Sequence, residues 1–313
     1  MALTTAVDPL GPLLDVWRRG PGLRLVPWES FGPRGPDTAD LSRLASGSGA
    51  LLLVGPRNRA PRTVLPGPVV TDASGRAVAA AWLPMTSARD VARFAAAAAR
   101  VHDRGGAGTT RTLVVLGERQ PRFDRLAERV TAIGAEAGAG AGGADLRTRR
   151  CTAYDLTRDD TVALLAAGPA LGVYVGHGRP VGWVGYAGMR AHHLAAAAAS
   201  PGHEPMAALL SLTCRTASRR RTGLSFAEAL PLAGVATATL GAVGPTRHTA
   251  NARWAVRVAR DAGSARTVGD LVVAISPHDP HAADHRLVGD PTAPLLDAPA
   301  FEALHPRRLE EAS

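Results

Sequence analysis

The chain has 313 residues, is 46% hydrophobic and carries a formal net charge of +9. That length and apolar content suffice for a full buried core in one large domain or two smaller ones, and they exclude a disordered chain. The basicity comes from Arg alone, since there is no Lys; the arginines are scattered among Ala, Gly and Pro, and only Arg219-Arg220-Arg221 forms a run. Without interleaved aromatics this pattern does not point to nucleic acid as a partner.

The first ten residues lack the basic start and apolar core of a secretory signal, and no apolar run is long enough to span a bilayer. The two cysteines, Cys151 and Cys214, make neither a disulfide framework nor a metal-type spacing. The expectation is therefore a cytoplasmic protein with no membrane partner and no metal; its oligomeric state is not legible.

Along the chain, short apolar runs alternate with amphipathic stretches, the pattern of strands joined by helices. Strands are expected at Ala50 to Val54, Ala77 to Leu83 and Thr112 to Leu116, with helices at Ser87 to His102 and Phe123 to Glu136. Alternating Gly and Ala from Gly134 to Gly143 reads as a flexible loop. In the second half, helices are expected at Asp159 to Ala167, Phe226 to Ala233 and His248 to Asp261, and strands at Leu171 to Val175, Met206 to Thr213 and Val235 to Leu240. A composition shift near Asp103 to Gly108 suggests a small N-terminal α/β subdomain over 1–104, a larger unit over 105–296 and a tail over 297–313.

His177 and Cys214 each follow directly on an expected buried strand, and the carboxyl ends of parallel strands form the crevice where ligands bind. A thiol beside an imidazole that can take its proton is a nucleophile and its base. Gly176 and Gly178 flank the His and allow a close backbone approach, and the amides of Gly178 and Cys214 together could cradle an oxyanion. By itself a strand-end Cys is more often a buried small hydrophobe than a nucleophile, the reading given to Cys151. His192, His193, His203, His278, His281 and His285 lack finger-type spacing with cysteines and read as surface or loop residues.

The segment Leu171 to Trp183, with Gly176-His-Gly178 and its following Trp, resembles the gingipain-type cysteine peptidases of the caspase-like clan. Leu210 to Ala229, ending in Ser-Phe-Ala-Glu-Ala, is similar to that family's nucleophile strand and next helix, and Leu287-Val-Gly-Asp-Pro-Thr292 to its closing Gly-Asp-Pro motif. Looser likenesses cover Leu51 to Gly55, Trp82 to Asp90 and Thr112 to Val130. The resemblance implies a caspase-like three-layer α/β sandwich with a mainly parallel central sheet. It also implies an endopeptidase acting through a thioester without a cofactor on a peptide or protein substrate, with Cys214 as nucleophile and His177 as base. On the same match Glu118 is the carboxylate assisting the His, and Asp124 and Trp183 bind substrate, Asp124 at the floor of a pocket selecting Arg or Lys. Arg-Thr-Ala-Ser after Cys214 departs from the family pattern and is similar to the CHAT branch of the clan, and Gly241 to His248 lacks the family's aromatic pocket wall. The same site would also suit a peptide transpeptidase or cyclase, and the fold alone would suit a catalytically silent interaction module.

Overall fold

The computed structural model describes residues 4–20, 22–32, 35–106, 110–139, 146–276 and 281–301. In chain order these form helices α1 (Gly11–Arg19) and α2 (Thr38–Ala45), strand β1 (Ala50–Pro56), the short helix α3 (Pro61–Val64), and strands β2 (Val69–Thr71) and β3 (Ala77–Met85). Next come α4 (Ala88–His102), β4 (Arg111–Gly117), α5 (Pro121–Ala139), β5 (Leu146–Thr152), α6 (Arg158–Ala166) and β6 (Leu171–Val175). A hairpin of β7 (Gly178–Arg179) and β8 (Gly182–Trp183) leads to α7 (Gly185–Gly188) and α8 (Ala191–Ala198). The chain continues through β9 (Met206–Leu212), α9 (Phe226–Leu232), β10 (Ala236–Ala242), α10 (His248–Asp261), α11 (Val268–Ile275) and β11 (His285–Gly289).

The main sheet runs in the order β1-β3-β11-β10-β9-β6-β4-β5, with β2 antiparallel to the start of β3. From β10 through β9, β6 and β4 to β5 every pairing is parallel. β11 lies antiparallel to β10 and parallel to β3, which is itself parallel to β1. The fold is thus α/β with a mainly parallel central sheet, in agreement with the expected class.

Helices cover both faces, which is why the central strands are continuous apolar runs and not alternating ones. In β4, Leu113 and Val115 pack on one side in a cluster with Phe94 of α4, Leu126 and Val130 of α5, and Trp254 of α10. Val114 and Leu116 pack on the other side with Leu165 of α6, Leu194 of α8 and Leu230 of α9. The chain therefore stacks as three layers around one sheet.

Two expectations need correcting. The Gly/Ala stretch from Gly134 is not all loop: α5 continues to Ala139, because the glycines let it lie against β5. A Cβ on Gly134 would sit 2.5 Å from Thr148 Oγ1, and one on Gly138 would sit 2.2 Å from the Leu146 carbonyl oxygen. Residues 140–143 of that stretch, and His278, lie outside the described residues. β5 was not anticipated. Its Arg147, Arg149 and Arg150 break the apolar pattern, which an edge strand tolerates since one face meets solvent.

Candidate active site

β6 and β9 are neighbours, with Val175 opposite Leu212. His177 and Cys214 therefore leave the carboxyl edge of the sheet at the same offset, two residues beyond a matched pair. The two turns touch. Thr213 Oγ1 donates to the Gly176 carbonyl at 2.7 Å, and a Cβ built on Gly178 would come within 2.5 Å of the Cys214 carbonyl oxygen. Only glycine at 178 permits this approach.

The backbone of His177 is fixed on both sides. Its N–H donates to Glu118 Oε2 at 2.5 Å, and its carbonyl accepts from the Val184 N–H at 2.9 Å and faces the Tyr174 hydroxyl at 3.2 Å. Glu118 is buried at the end of β4 and also accepts from Gln120 Nε2 at 2.9 Å, with the Tyr174 hydroxyl at 3.4 Å. Burial, and then the Glu118 carboxylate, push the Tyr174 phenol well above its ordinary range, so it stays protonated. The resemblance implies that Glu118 assists the His; its contact is with the His177 peptide, and among the described residues the imidazole is not one of its hydrogen-bond partners.

The imidazole itself meets Arg122, from the first turn of α5, whose Nη2 lies 2.6 Å from His177 Nε2. The Arg122 guanidinium lies over the Phe123 ring, 4.6 Å from its centroid, and Phe123 meets His177 and His248 edge-on at 5.3 and 5.4 Å. Burial, followed by the charges of Arg122 and His177, holds the His248 imidazole below its usual range.

Cys214 is partly buried. Its Sγ accepts from the Thr246 N–H at 3.3 Å and lies 3.7 Å from the Thr246 carbonyl, in the loop after β10. Asn251 Nδ2 holds the Thr246 hydroxyl at 2.9 Å. A backbone N–H aimed at sulfur stabilises a thiolate, and the carbonyl can accept from a thiol. The loop beyond the cysteine is anchored by Arg219, whose Nε donates to the fully buried Glu228 at 2.8 Å, and Glu228 also accepts from Trp82 Nε1 at 3.1 Å. The Glu of the Phe-Ala-Glu-Ala segment thus positions the loop after Cys214. No hydrogen bond joins His177 to Cys214 among the described residues.

The two residues expected to bind substrate have partners within the chain. Trp183 is fully buried, stacked on Tyr174 at 4.2 Å with its Nε1 donating to Ser211 Oγ at 2.9 Å, so it supports the His turn from within the core. The Asp124 carboxylate accepts from Arg150 Nη1 of β5 at 3.1 Å and is half-buried. Arg122, Phe123, Thr246 and His248 belong to no motif of the sequence. Arg122 and Phe123 lie just past the expected β4 end and Thr246 just past β10, so position at the same sheet edge was the available signal. Asp290 of the Gly-Asp-Pro motif is fully buried and accepts from the Thr292 N–H at 2.8 Å, with His102 Nε2 at 2.8 Å, well away from the sulfur's partners.

Among the described residues no helix is long and apolar enough to cross a membrane, and no cluster of three or more His, Cys, Asp or Glu could hold a metal ion. Among curated proteins no sequence match was found. Solved structures with the same fold include the complex of Porphyromonas gingivalis RgpB pro- and mature domains, 14% identical with a TM-score of 0.68 over 94% of this chain and 78% of that one. The Arg-specific cysteine proteinase gingipain R (RgpB) gives 15% identity and a TM-score of 0.68 over 94% and 77%. A third, described as a protease, gives 12% and 0.67 over 94% and 77%. Residues 118–296, more than half of the chain, match the model of Peptidase family C25. The chain belongs to this family, the gingipain family of cysteine peptidases.

Proposed function

We propose that the chain is an endopeptidase in which Cys214 attacks a peptide carbonyl and His177 takes the thiol proton and returns it to the leaving amine. The resulting thioester is then hydrolysed by water. The observation that carries this reading is the matched exit of His177 and Cys214 from β6 and β9, with their turns locked together by Thr213 and Gly178. Among the described residues the Cys214 N–H has no acceptor, which suits it to an oxyanion hole shared with Gly178. Glu118 positions the His177 peptide and is not given a role at the ring.

A cytoplasmic location belongs to the same proposal; two free cysteines, one of them the nucleophile, suit a reducing compartment. A preference for Arg or Lys before the cut is not carried forward, because the carboxylate that would select it, Asp124, already binds Arg150. The test is cleavage of denatured protein and labelling by a peptidyl thiol-reactive probe. Both are expected in the wild type and in Cys151→Ala and absent in Cys214→Ala; full activity in Cys214→Ala overturns the assignment.

A further inference from the structure

The carboxyl edge of β4, β5, β6, β9 and β10 carries an unbalanced charge. Arg122, Arg179 and Arg247 are exposed and Arg215, next to the nucleophile, is half-exposed, and none of the four is paired with a carboxylate among the described residues. The acids close by are committed elsewhere. Glu118 is buried on the His177 peptide, Asp124 holds Arg150, and Asp155 accepts from Thr152 Oγ1 at 2.8 Å. A crevice edge lined by one sign of charge draws the opposite sign from solution.

Arg122 stands closest to the chemistry. Its partners are His177 Nε2, at 2.6 Å, and the face of Phe123. A guanidinium binds a carboxylate, which carries the opposite charge and takes its fork in two parallel bonds, more strongly than it binds an imidazole. We propose that this site selects peptides with an acidic side chain beside the scissile bond, and that Arg122 determines the preference by exchanging His177 Nε2 for the substrate carboxylate. The exchange also clears Nε2 of its donor, so an acidic substrate raises kcat as well as lowering KM. This inference rests on the Cys214 and His177 reading above and names its substrate class.

The test uses peptides blocked at both ends, so that only a side chain presents the carboxylate, in matched sets with Asp, Asn or Arg on either side of the cut. In the wild type the Asp peptide is expected to exceed its Asn counterpart by about tenfold in kcat/KM at low salt, the gap narrowing as salt screens the pair. In Arg122→Gln the Asp-to-Asn ratio is expected to fall to about one, and in Arg122→Glu the Arg peptide is expected to overtake the Asp peptide. A wild-type ratio near one, or a ratio unchanged in Arg122→Gln, overturns the inference. Electrophilic versions of the same peptides separate it from the dyad: equal labelling of Cys214 by the Asp and Asn probes removes the role of Arg122 alone. Failure of both to label Cys214 removes the dyad and this inference with it.

Discussion

Thr213 donates its hydroxyl to the carbonyl of Gly176 at 2.7 Å, so the residue before the cysteine is tied to the residue before the histidine. Both groups are buried, and the bond joins the ends of the two strands that carry His177 and Cys214. Thr213→Val keeps the shape but leaves the Gly176 carbonyl without its donor, at a cost of about 1–3 kcal/mol. Chemical denaturation should show that loss. If the tie also sets the spacing of the two side chains, the activity remaining in folded protein falls further than stability does; unchanged activity per folded molecule would make the bond purely structural.

The two thiols should separate by reactivity. Burial pushes the Cys151 thiol from its ordinary 9.0 up to about 11, and its carbonyl is held by the Tyr186 hydroxyl. At pH 8 only about one part in a thousand of Cys151 is thiolate. Iodoacetamide at pH 8 should therefore modify Cys214 in native protein and reach Cys151 only after unfolding. The raised value also fixes a sign for stability: the contribution is complete below pH 9 and is lost as pH rises through about 11. Melting curves between pH 8 and 11 should decline less steeply in Cys151→Ala than in the wild type, and parallel curves would refute the buried-thiol explanation.

How far the sequence reveals this site follows from the kind of signal each residue leaves. β6, β9 and α10 stand out because strands covered on both faces are unbroken apolar runs ending in Gly-His-Gly or Thr-Cys, and because α10 keeps a helical period over its whole length. The resemblance then chose His177 and Cys214 among otherwise ambiguous residues. What stayed hidden depends on contacts between distant segments. Arg122 and His177 are 55 positions apart, and Thr246 and Cys214 are 32 apart, so no local pattern records either meeting. Trp183 misleads for the opposite reason: a motif position says that the residue is needed, and its full burial against Tyr174 and Ser211 says what for.

Glu118→Gln tests whether the His177 peptide must be held by a carboxylate. Glu118 accepts on both oxygens, from the His177 N–H and from Gln120 Nε2, and a Gln amide would turn one of those acceptors into a donor facing a donor. The loss of a hydrogen bond to a charged group costs about 1.5–3 kcal/mol. Because the bond sits on the peptide of His177, the proposed base, kcat should drop by about tenfold or more with little change in KM. A pH profile for kcat/KM that keeps its shape in Glu118→Gln would agree with a positioning role, whereas a shifted profile would point to direct action on the ring.

Asp124→Asn distinguishes a pocket floor from a surface ion pair. In the structure the carboxylate meets Arg150 Nη1 at 3.1 Å, with the two side chains 30% and 38% exposed. Exposed pairs of this kind contribute about 0–1 kcal/mol, so the variant should melt close to the wild type. A carboxylate already engaged by an Arg of its own chain also has little to offer a second guanidinium. Cleavage after Arg, relative to cleavage after uncharged residues, should therefore stay within about twofold of the wild-type ratio. The informative measurement is that ratio on a peptide library. If it falls tenfold while Arg150→Gln leaves it intact, Asp124 serves substrate after all, and the Arg150 contact is a resting state that substrate displaces.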